Sequence, residues 1–204
     1  MFDDNNLTTN PLAVLKPKKQ PHLYTLAQYL HKEENSNDLH EYYNGHIVKL
    51  PPANTPHNLI STNIGTSIHG ALKNNFTVLM GKQLTYLPTE NYALYPDVIV
   101  YEDAPHYFDY NETLIINPIL IVEVLSKGIK KLERTVKFRE YKTLATFKEH
   151  LLIDKEKCAV QLSYREEPNV WLTRDFKDIN ASIYLKSIDC TISLADIYEN
   201  IALK

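Results

Sequence analysis

The sequence predicts a mixed α/β (α+β) fold, a central mixed β-sheet flanked by helices. Three observations predict it. The run PILIVEVLS, residues 118–126, is short, apolar and rich in β-branched residues, so it reads as a buried central strand. Between residues 57 and 73 the apolar side chains fall at Ile60, Ile64, Ile68, Ala71 and Leu72, the spacing of one helix face. The elements read off the chain run helix, strands, long helix, strands, helix, strands, an order suited to helices laid on one sheet.

Taken in order, residues 1–22 are polar, with Pro11, Pro17 and Pro21, and are expected to form a flexible arm. Residues 23–204 are expected to form a single domain, because neither a repeat nor a linker divides them. A short helix is expected over residues 24–32, with Leu26, Tyr29 and Leu30 on one side. Asn44-Gly45 lies between two β-prone runs, and both residues tolerate positive φ, so a hairpin is expected there. After the helix at 57–73 come two expected strands, residues 76–87 and 93–101, and then the central strand. A basic helix is expected over about residues 132–144, with Phe138 and Tyr141 towards the core. Strands at 150–154 and 159–164 follow, then another pair around Val170 and Ile183. Ser193 is expected to cap a short last helix.

The chain has 204 residues, with 44% hydrophobic and 23% charged, which suits one soluble globular domain with a core of its own. No apolar stretch approaches the ~20 residues of a membrane span. The N-terminal residues carry acids where a signal peptide carries bases, so a cytoplasmic location is expected. The net charge of -3 gives no overall electrostatic footprint for nucleic acid, although a local basic face can serve instead. Cys158 and Cys190 have neither metal-ligand nor redox spacing and are expected to be reduced thiols, with a disulfide as the alternative.

Glu123 is the only charged residue among Ile119, Leu120, Ile121, Val122, Val124 and Leu125. A buried carboxylate costs several kcal/mol unless a cation or hydrogen bonds compensate. Either Glu123 faces a cation, or its strand lies at an edge, or it pairs with a structural Lys or Arg. Asp97 opens another apolar run, Val98 to Tyr101, directly after Pro96. It reads as a turn or cap residue, or as a second ligand. If the two strands are neighbours, the carboxylates meet and call for a hard cation, Mg²⁺ or Mn²⁺. Lys130, Arg134, Lys137 and Tyr141 share one stripe of the next helix, facing either phosphate or solvent. Lys137 lies beside Phe138 and Tyr141, on the turn expected to face the protein.

The segments HEYYNGHIVKLPPANTPHNLI, YPDVIVYED, PILIVEVLS, ERTVKFREY and EHLLIDKEKCAVQLSY, in that order, resemble the Uma-type putative restriction endonuclease family of the PD-(D/E)XK nuclease superfamily. The resemblance spans about residues 24–164 and implies a restriction-endonuclease-like fold and metal-dependent hydrolysis of DNA phosphodiester bonds. It implies that Asp97 and Glu123 are metal ligands, with the Val124 carbonyl completing the protein's share. The superfamily's lysine two residues after the glutamate is replaced here by Leu125, and Lys137 matches the lysine that this family carries one helix later. Glu41 matches a hairpin glutamate that could join the metal shell through water. His57 matches a family histidine, expected to start the helix or to hydrogen-bond rather than to catalyse. Ser126-Lys127-Gly128-Ile129 and Glu133 depart from the family pattern. The resemblance also implies a homodimer, whose two sites would address two strands. Two other readings are a catalytically silent nuclease-fold module that binds nucleic acid or a protein, and a metal-free hydrolase using Glu123 and Asp97 as an acid/base pair. The first expects carboxylates that do not converge; the second expects one raised carboxyl pKa.

Overall fold

The structure, a computed structural model, describes residues 22–72, 75–125 and 131–204, the side chains of residues 131–135 excepted. The expected arm therefore lies, up to residue 21, outside the described residues. So do Lys130, the 126–129 segment and the side chains of Glu133 and Arg134.

The first helix, α1 (Leu26–Glu34), starts where a capping box forms: the Thr25 hydroxyl accepts from Gln28 N and the Gln28 side chain accepts from Thr25 N. The strands β1 (His40–Tyr43) and β2 (His46–Lys49) form the expected hairpin, with Asn44 at φ 42° and Gly45 at φ 95°. Two central residues with positive φ match the right-handed twist of the strands. The helix α2 (Thr55–Ala71) is capped by Asn54 and has Pro56 in its first turn.

The expected strand 76–87 is two strands, β3 (Phe76–Met80) and β4 (Leu84–Leu87), and they lie in different sheets. Gly81, at φ +96°, breaks the run between them. The next stretch is likewise divided, into β5 (Tyr92–Leu94) and β6 (Val98–Glu102). Pro96 stands between those two and has no N–H to continue a ladder. The chain then forms β7 (Leu114–Ile115), β8 (Leu120–Leu125), α3 (Lys131–Tyr141), β9 (Glu149–Asp154), β10 (Val160–Glu167) and β11 (Val170–Phe176). The last elements are β12 (Ser182–Leu185), β13 (Cys190–Ser193) and α4 (Leu194–Ile197), whose cap is Ser193, as expected.

The central sheet has the order β11-β10-β9-β8-β6-β3, with β8 parallel to β9 and its other pairs antiparallel. A single sheet does not hold every strand, however. A second sheet has the order β2-β1-β5-β4-β7, and among the described residues β12 and β13 pair as a third, two-stranded sheet. On one face of the central sheet Val98, Val100, Leu120, Val122 and Val124 pack with Ile60, Ile64 and Ile68 of α2 and with the β12–β13 and α4 residues. On the other face Ile121 packs with Tyr43, Leu87, Tyr92 and Leu94 of the second sheet and Tyr141 of α3. α1 covers the far side of that second sheet through Tyr29, which stacks on Tyr42. Cys158 and Cys190 are both free. Among the described residues no helix is long and apolar enough to cross a membrane.

Candidate active site

The register of the central sheet brings the two carboxylates together. Val98 lies opposite Val122 in an antiparallel pair, so Asp97 comes level with Glu123 on the same face. Strand β6 begins only after Asp97, and the Asp97 side chain takes over from the ladder: Val124 N donates to its Oδ2 at 2.6 Å. Its Oδ1 lies 2.7 Å from His57 Nε2, in the first turn of α2. Asp97 is therefore both a strand-start cap and a group facing Glu123. His57 has the hydrogen-bonding position expected of it, with its own N–H donated to Asn54 Oδ1.

Glu123 sits in a strand flanked on both sides, which disposes of the edge-strand reading. Two residues of α3 reach it from one helix face, four positions apart. The Tyr141 hydroxyl donates to Glu123 Oε1 at 2.7 Å, and Lys137 Nζ lies 3.8 Å from the same oxygen. Among the described residues Oε2 takes no hydrogen bond. Burial raises the Glu123 pKa, Lys137 opposes that rise, and the Asp97 and Glu41 charges add to it, leaving it at about 7.

Lys137 owes its place to Glu41. Its Nζ donates to Glu41 Oε1 at 2.6 Å, and that oxygen also accepts from Tyr95 N at 3.1 Å. The Tyr43 hydroxyl donates to Glu41 Oε2 at 2.6 Å. Glu41 is 2% exposed, so donors from β1, α3 and residue 95 enclose it. Burial alone would push the Lys137 ammonium down, but Glu123 and Glu41 outweigh it and hold its pKa above the ordinary value. Lys137 is thus held in place as a charged donor to Glu41. Leu125, at the superfamily's usual lysine position, lines the small cavity beside Glu41, Glu123 and Lys137 instead.

Asp97, Glu123, Val124 and Lys137 line one open cavity of about 530 Å³, which Leu39, Leu50 and the Pro51-Pro52 segment also line. Glu41 does not line it. Among the described residues no set of three or more His, Cys, Asp and Glu side chains could hold a metal ion. The pair Asp97 and Glu123 still suits Mg²⁺, which binds through one or two carboxylates and keeps several waters, and the open cavity leaves room for them. Among the described residues Glu123 Oε2 has no partner, so it is available to such an ion.

Comparison with known proteins adds the family. The family model described as "Putative restriction endonuclease" (Uma2) matches residues 26–195. The chain belongs to that family. Two Synechocystis relatives, both called uncharacterized proteins, are similar along most of their lengths. sll1609 is 26% identical over 79% of this chain and 92% of its own, and slr1290 is 28% identical over 91% and 94%. A crystal structure described as a putative nuclease belonging to DUF820, from Anabaena variabilis, shares the fold with a TM-score of 0.71. It is 18% identical, over 88% of this chain and 99% of its own. This Uma2 member thus has the nuclease-like fold expected from its sequence.

Sequence reasoning missed Tyr141 as a donor to Glu123, Tyr43 as a donor to Glu41 and the Asp97–His57 contact. The first two had a signal. Tyr141 is four residues after Lys137, and Tyr43 is two after Glu41 on the same strand face. The third joins residues 40 positions apart and had none.

Proposed function

We propose that this Uma2 protein is a divalent-metal-dependent endonuclease that hydrolyses DNA phosphodiester bonds. The observation that carries the reading is the convergence of Asp97, Glu123 and charged Lys137 on one open cavity. Asp97, Glu123 and the Val124 carbonyl would hold the ion, Mg²⁺ or Mn²⁺. When bound, it would polarise a phosphate oxygen and lower the pKa of the attacking water. Lys137 places a fixed ammonium where negative charge develops on the phosphate. Glu41 acts through Lys137, holding the ammonium in place, rather than as a ligand. Tyr141 fixes Glu123 Oε1 and so turns Oε2 to the ion, while His57 and Val124 N fix the Asp97 carboxylate. In the reaction water oxygen bonds to phosphorus, the phosphorus–oxygen bond to the departing sugar breaks, and that oxygen gains a proton.

The working unit in this reading is one domain, residues 23–204, acting in the cytoplasm as a homodimer; sedimentation of the purified protein tests the dimer. The raised Glu123 pKa is also what metal-free acid/base hydrolysis would use, and chelation separates the two. The test is cleavage of plasmid and single-stranded DNA with Mg²⁺, Mn²⁺ or EDTA, beside Asp97→Ala and Glu123→Ala. Metal-dependent cutting abolished by both substitutions is expected. Cutting that survives EDTA would favour the acid/base pair. No cutting by folded wild-type protein would favour the silent binding module.

A further inference from the structure

The lining of the cavity that holds the carboxylates is of two kinds. Asp97, Glu123 and Lys137 are charged, whereas Leu39, Leu50, Pro51 and Pro52 give an apolar stretch, with Asp38 and Lys49 beside it. A phosphodiester is charged and hydrated and gains nothing from an apolar wall. A nucleobase has flat apolar faces and does gain from one.

We infer that the cavity seats an unpaired nucleotide, its base against the Leu39, Leu50, Pro51 and Pro52 wall and its phosphate at Asp97, Glu123 and Lys137. The inference rests on the reading of this site as one that handles DNA, and it names single-stranded or locally unpaired DNA as the substrate class. The cavity's volume of about 530 Å³ falls within the range of roughly 300–1,000 Å³ that encloses one small ligand. A base still stacked and paired in a duplex cannot enter such a space, and unpairing it costs a few kcal/mol that a single strand does not incur. The wall is set before any ligand arrives. Pro51 and Pro52 fix their own φ angles and restrict the residues before them. Leu50 N donates to Leu39 O at 2.8 Å, which ties the two leucines together across the open end of the hairpin. Asn54, immediately beyond, is held by His57 N and by Lys155 Nζ. Preorganisation of this kind lowers the ordering cost of binding. At the rim, the exposed Asn37 and Asn58 offer amide donors and acceptors to the edge of a seated base.

The test measures binding by fluorescence anisotropy of a labelled 12-nucleotide single strand and of a hairpin duplex carrying the same sequence. Ca²⁺ replaces Mg²⁺ in the binding assay, and the same oligonucleotides are then cut with Mg²⁺. The single strand is expected to bind more than about tenfold more tightly than the duplex and to be cut in preference to it. Pro51→Ser combined with Pro52→Ser, at two exposed positions, is expected to weaken single-strand binding about fivefold. Duplex binding equal to or tighter than single-strand binding would overturn the inference while leaving a nuclease in place. Failure to bind the single strand, or unchanged binding by the proline variant, would overturn it too. Tight, proline-dependent single-strand binding without cutting would keep the inference and remove the hydrolytic reading.

Discussion

Replacing Lys137 by Met separates what this lysine does for the fold from what it does for chemistry. The substitution keeps the side-chain volume and removes the charge that lies 2.6 Å from Glu41 Oε1. Glu41 keeps the Tyr43 hydroxyl and Tyr95 N–H, but at 2% exposure bulk solvent screens its stranded charge poorly. Removing one partner of a buried ion pair typically costs about 3–5 kcal/mol. Lys137 is 18% exposed, so the low end, about 3 kcal/mol at neutral pH, is expected. For a chain of this size that lowers Tm by roughly 6–12 °C. Urea unfolding followed by circular dichroism, in EDTA, gives the number. The double variant Glu41→Gln/Lys137→Met removes the stranded charge and should recover more than half of the loss, yet neither variant should cut DNA. A loss below about 1 kcal/mol, or a double variant no more stable than the single, would refute the view that Lys137 neutralises Glu41.

Three further outcomes are expected. Glu123 holds its proton more tightly folded than unfolded, so the stability that it contributes is complete below about pH 4.5 and falls as pH rises to about 7, by roughly 3 kcal/mol. Melting of the EDTA-treated protein across that range should show the fall, Glu123→Gln should flatten it, and Mg²⁺ should offset it at high pH; a fall unchanged in the variant would assign it to another group. Tyr141→Phe leaves Glu123 Oε1 without its hydroxyl donor and should raise the Mg²⁺ concentration needed for half-maximal cleavage about tenfold. An unchanged Mg²⁺ requirement would make that contact purely structural. In Gly65→Ala the new Cβ would overlap Met80 Sδ and Cγ, but Met80 is 49% exposed and can swing aside. The helix gains about 1 kcal/mol from losing a glycine, so thermal melting should show a change within about 1 kcal/mol of zero. A larger loss would show that Met80 is held in place.

Local signals carried much of this structure. Asn44-Gly45 announced its hairpin, Ser193 its helix, and the β-branched run around Glu123 its central strand, because each is decided within a few residues of chain. The partition into two sheets was not legible. Gly81 and Pro96 mark breaks, but which sheet a strand joins after a break depends on partners such as Val100 and Tyr43, which are distant in sequence. The site divides in the same way. A lone carboxylate in an apolar strand is visible to inspection because its burial has a known cost. The partners of the site's carboxylates, Tyr141 for Glu123, Tyr95 N for Glu41 and His57 for Asp97, become neighbours only when the chain closes.

The tie between Lys137 and Glu41 also bears on how this chain can change length. A lysine two residues after Glu123 would be placed by strand spacing alone, and any insertion between them would misplace it. Here the ammonium is clamped by a glutamate from a different strand of a different sheet. Its position is set by that clamp and by the packing of Tyr141 rather than by the number of residues joining β8 to α3. A change in the number of those residues is therefore expected to leave the ammonium on Glu41.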